Sequence, residues 1–257
     1  GHEPLVAAAR SLEIPTAEIQ HGTISRLHMG YDFEPTLPKR HFPDYFLAFG
    51  DTWKHAARLP THNVLTLGFP FLENRVRSIE PPESRQGIVF ISQGTLGTSL
   101  VDFACDVARR VPEGFPVYFK LHPREIEHWR SEYPGLREMV ATDQINVIGD
   151  EISLYDLLAS ATVQVGVYST ALIEGAALGC RTYIAQLPGW HAMAALVEAG
   201  VATLVTDAST ITAKLDNGVV PATLTASICE FGWRSRFPHI VEHVVTRKGG
   251  PLLASLE

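Results

Sequence analysis

Apolar residues along this chain come in two rhythms. Through PLVAAARSLEI (residues 4–14) they recur every three or four positions, the spacing of an amphipathic helix. YFLAFG (45–50) and VLTLGFP (64–70) are short continuous runs of the kind a buried strand shows. PTAEIQHG (15–22) reads as a short strand running into a loop in which Gly22 supplies a tight turn, and DTWKHAARL (51–59) as a helix opened by Asp51 as N-cap. Residues 72–86 are polar, hold Pro81-Pro82, and read as a linker.

Beyond that stretch the rhythm restarts. Strand-like GIVFIS (87–92), PVYFKLH (116–122), INVIG (145–149), VQVGVYS (163–169), RTYIAQL (181–187) and ATLV (202–205) alternate with helix-like LVDFACDVARRV, EIEHWRSEYPGLREMV with a break at Pro134, SLYDLLASA, TALIEGAALG and HAMAALVEAG. The strands are continuous apolar runs rather than alternating ones, which is what a parallel sheet covered on both faces demands. The expected fold is therefore α/β, a doubly wound parallel sheet over 87–215. It is preceded by a partial α/β portion (1–71) and followed by a partly helical tail (216–257) that packs across the domain edges.

Composition narrows the function. A chain of 257 residues with 46% hydrophobic and 19% charged content is globular, and a formal charge of −7 argues against general nucleic-acid binding while leaving room for a local phosphate pocket. No window holds eighteen uninterrupted apolar residues and no basic-then-apolar leader is visible, so the expected location is cytoplasmic, with no integral membrane segment and at most a peripheral membrane association. Cys105, Cys180 and Cys229 lie far apart without CxxC spacing and read as reduced, buried thiols.

In doubly wound sheets, ligands sit where the strands end and the loops leave for the helices. The strand ends of the second half carry Ser92-Gln93-Gly94-Thr95, His122-Pro123, Gly149-Asp150-Glu151 and Tyr168-Ser169-Thr170, so four loops bring hydrogen-bonding groups to one edge. Ser169 and Thr170 open a helix whose backbone N–H groups and dipole favour an anion. His122 offers a further donor to phosphate, charge-assisted if the ring is protonated, and Pro123 fixes the turn. Asp150, Glu151 and Glu174 suit ribose hydroxyls. Taken singly, His-Pro also serves as a plain turn, Ser-Thr or Asp150 as an N-cap, and Glu174 as a solvated helix residue. There is no GxGxxG after a strand and no GxxxxGK[ST], which disfavours a dinucleotide oxidoreductase and a P-loop kinase.

KLHPRE (120–125) and VYSTALIEG (167–175) resemble the His-Pro and Ser-Ser/Thr motifs of bacterial sialyltransferases, polysialyltransferases and CMP-Kdo transferases, which share the GT-B fold. IQHGTIS (19–25) is similar to the Gln-His-Gly loop of capsule and teichoic-acid type transferases, including CDP-glycerol glycerophosphotransferases. The resemblance implies a cytidine nucleotide with His122 and Ser169-Thr170 on phosphate and the Asp150-Glu151 loop near ribose and base. STALIEG also resembles UDP-sugar enzymes, in which a helix glutamate holds ribose.

The expected activity is thus glycosyl transfer of a nonulosonate- or Kdo-type sugar from a CMP-activated donor to a surface glycan or glycosylated protein. Transfer from CDP-glycerol, CDP-ribitol or a UDP-sugar is the alternative within the enzyme class, and a non-catalytic nucleotide-sugar-binding domain the alternative outside it. No cofactor or metal is called for, since there is no DxD at a strand end. Residues 1–71 are short for a GT-B N-terminal domain of about 100 to 150 residues, so the chain is expected to be a piece of a longer enzyme. The acidic Asp/Glu-Asp/Glu-Gly motif of sialyltransferases is not present in its usual form. His21 is the candidate catalytic base or phosphate donor, expected opposite the nucleotide rim across an interdomain gap, with Asp51 and then Asp32 as the acidic candidates.

Overall fold

The computed structural model describes residues 3–34, 41–80, 82–213, 215 and 222–246. Pro81 of the expected linker, and residues 214, 216–221 and 247–257 of the expected second domain and tail, lie outside the described residues. The strands are β1 (Ala17–Ile19), β2 (Tyr45–Ala48), β3 (Val64–Thr66), β4 (Ile88–Ile91), β5 (Val117–Lys120), β6 (Asn146–Ile148), β7 (Val163–Gly166), β8 (Arg181–Ala185) and β9 (Ala202–Val205). The helices are α1 (Glu3–Ser11), α2 (Pro70–Val76), α3 (Gly97–Ala108), α4 (Trp129–Glu132), α5 (Pro134–Ala141), α6 (Leu154–Ser160), α7 (Ala171–Ala177), α8 (Ala194–Glu198), α9 (Ala208–Thr212), α10 (Ala222–Ile228) and α11 (Trp233–Thr246). They fall into two compact units, one made of 1–73 with 226–257 and the other of 74–225.

The second unit is the doubly wound α/β domain. Its six strands are all parallel, in the order β6-β5-β4-β7-β8-β9. Counting β4 as the first strand, this is the nucleotide-binding order 3-2-1-4-5-6, which reverses direction between β4 and β7. Every residue of β4 and β7 is buried. That is why their sequences are apolar runs without alternation: helices cover both faces. α3 contributes Leu100, Val101, Ala104, Cys105 and Ala108 to the core at helical spacing. Arg85 fastens the C-terminal ends of two helices, donating to the carbonyls of Leu158 and Ala161 beyond α6 and of Leu178 beyond α7, at 2.6 to 3.1 Å. A cation there satisfies carbonyls the helices leave open. The Cys180 thiol beside it is pushed up to about 11 by burial.

The first unit is built on a parallel three-stranded sheet, β1-β2-β3, with β2 wholly buried at its centre. The expected tail is part of it rather than a separate segment. Trp53 Nε1 donates to Ile228 O at 2.6 Å, Glu230 N to Phe49 O at 2.9 Å, and Arg236 Nε to Leu67 O at 3.1 Å. Two further expectations fail here. DTWKHAARL forms only a 3-10 turn, Asp51–Lys54, whose flanking residue is extended Gly50. Asp51 does not cap it. Its carboxylate instead takes a hydrogen bond from Thr66 and pairs with Lys54 at 2.8 Å, while Trp53 is drawn into the core. The segment read as linker begins with α2, because Leu72 and Glu73 are buried. Glu73 accepts from Gly232 N at 2.5 Å and Trp233 N at 3.2 Å, capping the start of α11 with a carboxylate. Among the described residues no helix is long and apolar enough to cross a membrane.

Candidate functional site

The β4 and β7 ends, where strand order reverses, are tied together by side chains of their own loops. Gln93 Oε1 accepts from Tyr168 N at 2.9 Å, and the Thr95 hydroxyl bonds the Tyr168 hydroxyl. Between them Gly94 adopts φ +70°, in the left-handed region, with the space for a Cβ lying 3.7 Å from His122 Nδ1. The chain thus brings Gln93, Gly94 and His122 together as expected of a rim, and leaves bare backbone beside the imidazole.

His122 is held on both sides of its backbone. Its N–H donates to Glu125 Oε2 at 2.7 Å, and its Nδ1 accepts from Arg124 N at 3.2 Å. An Nδ1 that accepts carries no proton, which leaves Nε2 as the nitrogen through which the ring can donate. Glu125 is 3% exposed and takes two more hydrogen bonds, from Ser92 Oγ at 2.8 Å and Tyr133 OH at 2.6 Å. Ser92 therefore turns inward to Glu125 rather than outward to the rim. Gly97 makes the arrangement fit: a Cβ there would lie 1.8 Å from the Tyr133 hydroxyl. Pro123 sits in the first position of the short turn Pro123–Glu125.

Across the reversal point, Ser169 Oγ accepts from Ala171 N at 3.3 Å, while Thr170 is exposed at the start of α7. Glu174 lies on the same helix, 9% exposed; burial pushes its carboxyl above the usual range, and a hydrogen bond from Tyr155 partly opposes this. Arg75 stands 5.9 Å over the Tyr155 ring. Asp150 and Glu151 follow β6. Glu151 folds back so that both its oxygens accept Gly149 N at 2.9 Å, and those backbone bonds hold it below the usual carboxylate range. Lys120 reaches over from β5 to the carbonyls of Gly149 and Ile152.

In the first unit, Gln20 explains how the Gln-His-Gly loop presents its histidine. It is 3% exposed, with Oε1 accepting from Phe49 N and Nε2 donating to Gly22 O, each at 2.8 Å. This anchor, and not a left-handed Gly22, forms the turn; Gly22 is absent from the positive-φ glycines. His21 then faces outward with a side chain 70% exposed, and its Nδ1 lies 3.1 Å from Tyr31 OH. The other acidic candidates are committed elsewhere. Asp32 is gripped by Arg58 at 2.6 Å, which holds it down to about 2, and Asp51 is likewise lowered, by Lys54 and Thr66. A carboxylate so stabilised in its ionised form is a weak base.

Sequence reasoning placed Tyr168 at a strand end and Gln20 in the Gln-His-Gly loop without giving either a role, and missed Glu125, Tyr133, Tyr155, Glu18 and Tyr31. Of these Glu125 carried a signal: it stands three residues after His122, the spacing of a capping box.

No protein-family model matches the chain. One curated protein, the 2-succinyl-5-enolpyruvyl-6-hydroxy-3-cyclohexene-1-carboxylate synthase of Pectobacterium carotovorum subsp. carotovorum, is 29% identical over 111 residues, which is 43% of this chain and 18% of that protein. The chain thus matches less than a fifth of that relative's length. Among solved structures it superposes on the Methanocaldococcus jannaschii UDP-GlcNAc 2-epimerase in complex with UDP-GlcNAc and UDP, with a TM-score of 0.58, 14% identity and coverage of 93% of this chain and 72% of that one. It superposes on the wall teichoic acid polymerase TagF soaked with CDPG with a TM-score of 0.50, 9% identity and coverage of 91% and 68%. At such identities the likeness shows the fold. That fold is α/β with parallel sheets, of the GT-B type.

Proposed function

We propose that the second unit binds the nucleotide of an activated sugar at the β4/β7 rim, and that the chain belongs to a GT-B glycosyltransferase. In this reading a nonulosonate- or Kdo-type sugar passes from its CMP form to a glycan or glycosylated protein. The observation that carries it is the conjunction at the point of strand reversal: two loops tied through Tyr168, bare backbone at Gly94, and the His122 ring beside it. The exposed Thr170 hydroxyl supplies a further donor to phosphate, and Glu174 is the carboxylate for ribose. The phosphate charge is met by these donors without a metal, and His21 takes the proton of the acceptor hydroxyl. Cytidine is favoured by the KLHPRE and VYSTALIEG motifs.

A second reading keeps the same site but takes a diphosphate donor. Its support is the fold shared with an epimerase holding UDP-GlcNAc and a polymerase soaked with CDPG. Calorimetry with CMP, CDP, UMP, UDP and AMP separates the readings. CMP tightest upholds the first. CDP or UDP tighter than CMP replaces it with the second, and equal or no binding of all five removes the nucleotide site.

A further inference from the structure

We infer that Glu18 and Tyr31 are positioning residues for His21, holding its ring with the proton on Nδ1 so that the exposed Nε2 is a bare acceptor. Counting protons fixes the direction of the bonds. Tyr31 OH lies within hydrogen-bond distance of two groups, the Glu18 carboxylate and His21 Nδ1, the latter at 3.1 Å. A phenol has one proton to give. Ionised Glu18 can only accept, so the Tyr31 proton goes to it, and the Tyr31 oxygen is left with lone pairs to receive Nδ1–H from His21. The chain of bonds therefore runs one way, from imidazole to phenol to carboxylate. Burial and the carboxylate hold the Tyr31 phenol above its ordinary range, so it remains a proton carrier throughout.

Each member of this relay is fixed from outside it. Tyr31 is 6% exposed and packs edge-on against Phe42 and Phe46, with the His28 ring 4.6 Å away. Glu18 sits on β1, whose register with β2 is set by Ala17↔Tyr45 and Ile19↔Leu47. His21 is fixed by the Gln20 anchor at the end of the same strand. Among the described residues, the charged group paired with the imidazole is Glu18, 3.7 Å from Nδ1.

This outcome is the opposite of that at His122, where Nδ1 accepts and Nε2 is left to donate. One histidine is built to donate and the other to accept. For His21 the arrangement does what a general base needs. Nε2 takes a proton from an attacking hydroxyl, and the imidazolium so formed keeps its Nδ1–H on Tyr31, with the Glu18 charge behind it. This role rests on the glycosyl-transfer reading. The tautomer does not, and is measured without any nucleotide.

The experiment is long-range ¹H–¹⁵N correlation of the ¹⁵N-histidine-labelled chain at mildly alkaline pH, with His21→Asn to assign the signal. The wild-type His21 is expected to show a protonated Nδ1 and a bare Nε2, the minority tautomer of free histidine. Glu18→Ala frees the Tyr31 proton to turn toward Nδ1, so the tautomer reverses, and Tyr31→Phe removes the acceptor and reverses it too. Glu18→Gln still offers Tyr31 an oxygen and keeps the wild-type pattern. The other histidine signals report whether each variant remains folded. Protonated Nε2 in the wild type, or an unchanged tautomer in Glu18→Ala, overturns the inference. Neither result bears on nucleotide binding, which the calorimetry tests separately.

Discussion

On the proposed reading the His122 ring donates to phosphate, and the size of that contact is testable. A hydrogen bond to a charged phosphate contributes about 1.5 to 3 kcal/mol, so His122→Ala is expected to weaken nucleotide binding roughly 10- to 150-fold. Melting should fall only modestly, because Glu125 still holds the His122 backbone and the ring's loss removes just its cap on Arg124 N, a contact of about 0.5 to 2 kcal/mol. Normal binding by the variant would remove His122 from the site. Glu174 carries a different signature. Its carboxyl is raised by burial, so the native state holds that proton more tightly than the unfolded chain. The contribution to stability is thus present below about pH 4 and is lost as pH rises through the unfolded value toward the higher native one. Glu174→Gln is expected to gain melting temperature over the wild type as pH goes from 4 to 7, while losing nucleotide affinity. A gain in stability with affinity unchanged would separate Glu174 from ribose.

At the level of elements, the rim depends on strands and helices being locked to one another behind it. Ser92 at the end of β4, His122 at the end of β5 and Tyr133 between α4 and α5 all converge on one carboxylate, Glu125. Gly97, the first residue of α3, keeps the path clear. Gly97→Ala would push a methyl into the Tyr133 hydroxyl, and overpacking of this kind costs about 1 to 3 kcal/mol. The urea midpoint is expected to fall accordingly, and nucleotide affinity to fall with it because His122 loses its fixed backbone. A variant as stable as the wild type would mean that Tyr133 is not needed where it stands. These locks also explain what the pattern of residues revealed. β4 and β7 were legible as apolar runs because both of their faces are buried, and the break at Pro134 because proline ends a helix. DTWKHAARL was misread since a helical pattern cannot show that Trp53 is pulled inward by a carbonyl 175 residues away. Of the site, His122 and Ser169-Thr170 were visible as strand ends. The ties of Tyr168 to Gln93 and Thr95 and the Glu125 network were not, because they are contacts between loops distant in sequence.

The whole molecule is two units, of which one is continuous and the other is not. Residues 74–225 close on themselves, whereas 1–73 share their core with 226–257. Trp53, Gly50 and Leu67 meet partners from Ser227 onward, and Glu73 waits for Gly232 and Trp233. This arrangement has a consequence in time. A ribosome adding about 5 to 20 residues per second makes the opening segment first but delivers the helix that completes its core only on the order of 10 to 30 s later. In the interval all residues of the second unit emerge, while the first unit still lacks the partners that Ile228, Glu230 and Arg236 supply. Chains stalled with residue 225 just clear of the exit tunnel are expected to yield a protease-resistant fragment from the second unit alone, with cleavage throughout 1–73. Equal protection of both at that length would show that the nascent opening segment needs no help from the end of the chain.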